Sequence, residues 1–267
     1  MKTLAVTSGK GGVGKTNISA NLAIQLAQRG ERTVVFDADI GLANLDVVLG
    51  VKSIFTLQSV LTGERRLSQV VAVGPGGIRF VAGGSGIETL VNLTGPRADN
   101  FLSQLGELEE STDVLIFDTG AGIDGNVMTF LEAADEVLLV ITPDPASITD
   151  GYATAKALLM RKPEATVRVI LNMVDSEAQA RAVFAKVYSI AQQFLGKRLE
   201  FGGFVRQDLR ALHFIRQRTP FILGDPNTPA SRDVANIAAA LRGEKVVQTQ
   251  SLADRLRGLF SGGQKAA

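Results

Sequence analysis

The sequence contains no cysteine, which excludes structural disulfides, cysteine-ligated zinc and iron–sulfur clusters together. Histidine occurs once, as His213. It lies in an amphipathic stretch and reads as a helix-surface residue, so neither a Ser/His/Asp triad nor a histidine metal cluster is expected. Long apolar runs are also missing: none approaches the roughly 18–20 residues that a membrane span needs. Nor does charge of one sign dominate. Lys and Arg total 28 and Asp and Glu 27, giving +1 at pH 7, so no general field invites a polyanion and no specific nucleic acid is expected. Met1-Lys2-Thr3 leads directly into a strand-like run, so no signal or transit peptide is expected. A reducing cytoplasm is compatible with the missing thiols.

What is present describes an ordinary globule. With 45% hydrophobic and 21% charged residues over 267 positions, the chain can build one large α/β domain or two small ones. Apolar strand-like runs fall at 3–7, Thr33–Phe36, Ile78–Ala82, Val114–Phe117, Val137–Ile141, Val167–Leu171 and Leu199–Val205. Helical periodicity occupies 17–29, 97–109, 125–134, 147–161 and 176–195. Arg29-Gly30 closes the first helix, and Gly63 closes a short one near 56–62. Alternation of this kind predicts a mostly parallel twisted sheet with helices on both faces. No linker divides the chain before residue 243. The polar, Gln-rich run 244–250 then reads as a tether to a short segment, 251–261, with 262–267 as a disordered end.

Residues 9–16 read Gly-Lys-Gly-Gly-Val-Gly-Lys-Thr and match G-x-x-x-x-G-K-[ST]. Gly9, Gly11, Gly12 and Gly14, with Val13, let successive backbone N–H groups turn onto a phosphate chain. Lys15 supplies charge to the terminal phosphates and Thr16 a hydroxyl to Mg²⁺. A strand precedes the loop and a helix beginning near Asn17 follows, so the helix N-terminus adds to the anion site. Lys10 is not needed to build the loop. It is either a solvated lysine at the loop edge or a cation that reaches a nucleotide held by a second subunit, as an arginine finger does.

Asp37 and Asp39 end the second strand at i, i+2, on the sheet edge where ligands bind in open α/β folds. Asp37 is placed for the magnesium shell and Asp39 for the attacking water; the alternative is a pair of acids capping the next turn. Asp118 ends the apolar strand Val114–Phe117 and is followed by Thr119-Gly120-Ala121-Gly122. A strand-end acid in such surroundings needs a cation or a donor, which Mg²⁺-bound water or Thr16 would provide. Asn172 ends another strand, where its amide has both a donor and an acceptor for a base edge. Glu107, Glu109 and Glu110 read as a solvated helix end.

With the extra Lys10 in the loop, the chain resembles the deviant Walker A ATPases, a family that includes MinD, ParA and FlhG (FleN). Cysteine-dependent relatives, such as the nitrogenase iron protein, cluster carriers and zinc-clamped targeting ATPases, do not fit. The resemblance implies ATP hydrolysis with Mg²⁺, an ATP-sandwich homodimer crossed by Lys10, water orientation by Asp39, and base contact by Asn172. The loop Arg206-Gln207-Asp208 would lie beside the base; Arg206 stands where relatives usually carry proline, and Asp208 where they carry an acid. Within the family three stretches, 41–50, 74–78 and 83–86, resemble FlhG more than MinD. That similarity implies a switch controlling flagellar number and placement, working with an FlhF-type GTPase, flagellar regulators or C-ring components. MinD-type division-site selection is the nearest alternative, followed by ParA-type DNA partition or a scaffold that binds nucleotide without hydrolysing it.

Segment 251–261 places Leu252, Leu256, Leu259 and Phe260 at i, i+4, i+7 and i+8, flanked by Arg255 and Arg257, with Ser251 as a cap. Such a helix suits an anionic inner-membrane surface, making the protein peripheral on its cytoplasmic face; docking on its own domain or on a partner is the alternative. The resemblance favours the membrane reading, because MinD and FlhG carry a membrane-targeting helix there.

Overall fold

In a computed structural model that describes residues 1–39, 43–84 and 96–244, every strand-like run of the sequence forms a strand. They are β1 (Lys2–Ser8), β2 (Thr33–Ala38), β4 (Arg79–Val81), β5 (Val114–Ala121), β6 (Glu136–Ile141), β7 (Thr166–Val174) and β8 (Glu200–Arg206). The sequence reading missed β3 (Ala72–Val73), a two-residue strand that pairs antiparallel with β4 across the turn Pro75–Gly77. Its shortness hides any period-2 pattern. Among the described residues eight strands form one sheet in the order β3-β4-β2-β5-β1-β6-β7-β8, parallel everywhere except at the β3 edge.

Helices α1 (Lys15–Gln28), α2 (Leu45–Leu49), α3 (Leu57–Leu61), α4 (Leu67–Val70), α5 (Pro96–Glu110), α6 (Gly125–Ala133), α7 (Pro145–Arg161), α8 (Glu177–Leu195), α9 (Leu209–Arg216), α10 (Phe221–Gly224) and α11 (Pro229–Leu241) cover the sheet. Several start where sequence chemistry dictates. Asp124, Asp144, Ser176, Asp208 and Thr228 each accept a backbone N–H of the first turn, and Pro145 and Pro229 occupy first-turn positions that need no donor.

Strand side chains divide by alternation. Leu4, Val6, Val35, Ile116, Leu138, Val140 and Ile170 join the core beneath α1 and α11, where Ile18, Leu22, Val234 and Ile237 meet them. Ala5, Val137, Leu139, Ile141, Val169 and Leu171 face α6, α7 and α8. Val34, Phe36 and Leu115 pack with α3, α4 and α5 on that same side. His213 lies exposed on α9, 3.1 Å from Gln217 Nε2.

The tether residues 245–250, the segment 251–261 with Leu252, Leu256, Leu259 and Phe260, and residues 262–267 lie outside the described residues, as do Ile40-Gly41-Leu42 and 85–95.

Candidate nucleotide site

The carboxyl ends of β2, β5 and β1 lie side by side in the sheet, and that of β7 stands two strands beyond β1 on the same edge. β1 opens into the glycine loop, which α1 closes at Lys15. Gly9 is packed so tightly that a β-carbon there would stand 2.1 Å from the backbone of Asp150 on α7. Gly14 has φ +91 and abuts the Asn172 amide. Side chains at these points would push the loop off its seat.

Lys15 is only 8% exposed. Burial lowers its pKa, and the nearby charges of Asp118 and Asp39 oppose that shift. Asp37 and Asp118 are register partners on β2 and β5, both nearly inaccessible. Burial, then the Asp118 charge, pushes Asp37 up to about 7. Burial also lifts Asp118, to about 6, against the pull of Thr16, Ser19 and Lys15. Asp37 Oδ1 accepts the Asp39 N–H at 3.2 Å, and Oδ2 accepts the Leu45 N–H at 3.1 Å, so it ties β2 to α2. Asp39 sits against Gly120 at the end of β5, within electrostatic reach of Lys15.

Ser19 Oγ donates to Asp118 Oδ1 at 2.8 Å. Sequence reading missed Ser19, although it follows Thr16 by three residues and so shares its helix face. Asp118 Oδ2 is buried without a hydrogen-bond partner among the described residues. An orphaned carboxylate oxygen, a second raised acid in register with it and a neighbouring Thr16 hydroxyl fit a hard divalent cation. Among the described residues no group of three or more metal-ligating side chains forms a ready-made cage. Mg²⁺ does not require one, since it keeps waters and takes substrate phosphate oxygens.

Lys10 turns to its own subunit, with Nζ 3.3 Å from Asp144 Oδ1. The sequence offered no task for this charge within one chain; the partner lies 134 positions away, beyond the reach of local pattern. Asn172 Nδ2 donates to Val13 O at 2.7 Å, joining β7 to the loop. Beside it is a cavity of about 160 Å³, mostly apolar, lined by Asn17, Asn172, Met173, Arg206, Leu212 and Phe221 among others. Arg206 is held in a fork by the buried Asp233, with Nε and Nη2 each 2.8 Å from a carboxylate oxygen. Asp208 also borders the cavity, but its oxygens accept from Arg210 N, Ala211 N and Ala230 N. Its carboxylate therefore caps α9 and links it to α11.

A glycine loop between a central parallel strand and a helix, with a buried lysine and a strand-end carboxylate opposite, defines a P-loop nucleoside triphosphatase. The chain matches, over residues 1–242, the family model described as ParA, NUBPL iron-transfer P-loop NTPase. It is 39% identical over 231 residues to the antiactivator FleN of Pseudomonas aeruginosa, covering 86% of this chain and 82% of FleN. It is also 39% identical over 242 residues to the flagellum site-determining protein YlxH of Helicobacter pylori, covering 90% and 81%. Among solved structures, the MinC:MinD cell division complex of Aquifex aeolicus superposes with a TM-score of 0.76 at 24% identity, over 94% of this chain and 99% of that one. MinD of Pyrococcus horikoshii, solved with Mg-ADP, gives 0.71 at 20% identity, over 90% and 95%. The chain belongs to the ParA/MinD family of P-loop ATPases. Cysteine-held iron–sulfur clusters stay excluded by its sequence.

Proposed function

We propose that this ATPase is a nucleotide-dependent switch that controls flagellar number or placement. The carrying observation is the 39% identity, over most of each chain, to YlxH, which is named a flagellum site-determining protein, and to the antiactivator FleN. The MinD likenesses are lower in identity and speak to the fold.

In this reading Gly9–Thr16 cradles the phosphates, Lys15 compensates their charge, and the pocket beside Asn172 and Arg206 receives the base. Thr16, Asp37 and Asp118 would hold Mg²⁺, which when bound offsets charge on the terminal phosphates and satisfies the buried carboxylates. Asp39, at the rim of the buried pair, orients the attacking water. ATP brings two copies together, and Lys10 leaves Asp144 to reach the partner's nucleotide. Segment 251–261 then attaches the dimer to the cytoplasmic face of an anionic membrane, where flagellar proteins are the partners.

Deletion of the gene, with flagella counted by electron microscopy, tests the process. Altered flagellar number, restored by the wild-type gene but not by the Lys15→Ala variant, is the expected result. Normal flagella with minicells would assign division-site selection instead.

A further inference from the structure

From Val169 to Asn172 β7 is buried without a break, and Met173, between the buried Asn172 and Val174, is 45% exposed. Met173 has φ 57, the left-handed region that an unbranched side chain enters only at a cost. Pairing with β8 slips at the same point: Asn172 stands opposite Val205 and Val174 opposite Arg206, so Met173 is the extra residue of a bulge.

Neighbouring side chains on a regular strand point to opposite faces. Here two of them reach the same glycine. Asn172 Nδ2 lies 2.5 Å, and Met173 Cε 3.7 Å, from the point where a β-carbon on Gly14 would stand. The Asn172 amide is engaged by Val13 O. The Met173 thioether rests over the phosphate loop at the cavity rim, with Arg206 and Leu212 among the other lining residues. At its exposure it fills no core, so packing alone does not account for the strained backbone.

We propose that Met173 is a positioning residue for the nucleotide base, its bulge aiming the thioether at the base's aromatic face. This rests on the reading above that the base enters this cavity. A thioether is flexible and polarizable and makes favourable sulfur–aromatic contacts. Strained backbone persists where its surroundings over-determine it, commonly at ligand clamps. The Asn172 anchor on one side and the β8 ladder on the other supply that constraint.

The test compares Mg-ADP with Mg-pyrophosphate, which has no base, as competitors of a fluorescent ADP on the full chain. Wild type should bind ADP much more tightly, the gap measuring what the nucleoside adds. Met173→Gly suits the left-handed backbone and removes the side chain. It should narrow the gap by about twofold to tenfold, the range a sulfur–aromatic contact supplies, with pyrophosphate affinity unchanged. Met173→Leu keeps the apolar cover without the sulfur and should fall between Met173→Gly and wild type. If wild type binds both competitors alike, the base-pocket reading itself fails. If wild type discriminates and Met173→Gly discriminates equally, that reading stands and the role of Met173 is overturned. Equal loss of both competitors would make Met173 a support of the phosphate loop, which also overturns the proposal.

Discussion

Lys10 and Asp144 form an ion pair across the mouth of the phosphate loop, with Nζ 3.3 Å from Oδ1, and nearly half of each side chain faces solvent. The same carboxylate caps α7 through Ser147 N at 2.9 Å and accepts from Thr142 Oγ1. These contacts, the Thr142 and Ser147 hydrogen bonds first, hold Asp144 down to about 2, so it is charged throughout the physiological range. An exposed pair of this kind contributes little to stability. Its consequence lies in where it keeps the lysine.

Asp144→Asn should preserve the cap, since Asn and Asp are comparable N-caps, while removing the charge that holds Lys10. The variant is expected to melt within a few degrees of wild type and to dimerise with ATP at lower protein concentration. Light scattering in an Asp39→Ala background, which should trap the dimer, reads this directly. An unchanged dimerisation midpoint would leave Lys10 indifferent to Asp144. A chain that remains monomeric with ATP at high concentration would remove the sandwich altogether.

Lys15→Ala and Asp39→Ala should separate binding from turnover. Loss of Lys15 takes away the buried cation facing the phosphates, so nucleotide affinity should fall by a factor of a hundred or more, about 3 kcal/mol for a charge-assisted contact. Asp39→Ala should bind nucleotide near normally and lose turnover, about 10²–10⁴-fold for a positioned acid–base group. Calorimetry and phosphate release distinguish the two, and parallel loss of binding in both variants contradicts these roles.

Most of the fold was legible because its inner strands are buried and several of its helices carry side-chain caps. The phosphate loop was equally legible, since the backbone geometry of Gly9–Thr16 demands those residue types in sequence. Features that depend on distant partners were not. Ser19 on Asp118 and Arg206 on Asp233 are pairings of side chains 99 and 27 positions apart. The Asp208 carboxylate suggested a ligand contact by position, whereas its oxygens serve helix caps. The strand ends at Asn172 in the sequence reading, which leaves Met173 outside it, whereas β7 continues to Val174 and the bulge sets Met173 apart.

The Asp37–Asp118 pair sets the pH dependence of the nucleotide-free protein. Both acids are raised from the usual 3.8, to about 7 and about 6, by burial first; the Asp118 charge adds to the rise at Asp37. The folded state therefore holds protons that the unfolded chain has released, and this stabilisation is lost as pH climbs through 6 and 7. Denaturant unfolding without Mg²⁺ should show greater stability at pH 5.5 than at 7.5. Asp37→Asn should flatten that slope, and Mg-ADP should reduce it by compensating the ionised pair. The acids held down to about 2, Asp113 and Asp144, act below this window. A stability that rises with pH across it would contradict the arrangement.

Gly9→Ala and Gly11→Ala form a matched pair in one loop. A methyl at Gly9 meets the Asp150 backbone at 2.1 Å, whereas one at Gly11 meets nothing within 4 Å. The first should cost about 1–3 kcal/mol, as overpacking does, or more because backbone cannot rotate aside. It should also displace the loop and abolish nucleotide binding. The second should melt like wild type. Equal melting temperatures for both would show that the loop's seat on α7 is softer than its packing implies.

Membrane recruitment through 251–261 should depend on ATP. Burying Leu252, Leu256, Leu259 and Phe260 is worth at most about 6–12 kcal/mol at roughly 1.5–3 kcal/mol each. Ordering some ten residues costs on the order of 1–2 kcal/mol per residue, so one copy binds weakly. Two copies on one dimer gain by effective concentration, which places attachment under nucleotide control. Sedimentation with vesicles containing anionic phospholipid should show binding with ATP and little with ADP. Deleting 249–267, or the double change Leu256→Glu and Phe260→Glu, should abolish it while leaving nucleotide affinity intact. Vesicles lacking anionic lipid, or high salt, should weaken it, because Arg255 and Arg257 flank the apolar stripe. If the truncated chain still sediments with vesicles in ATP, attachment resides in the ATPase domain. The apolar stripe would then be better explained as a docking helix for that domain or for a partner.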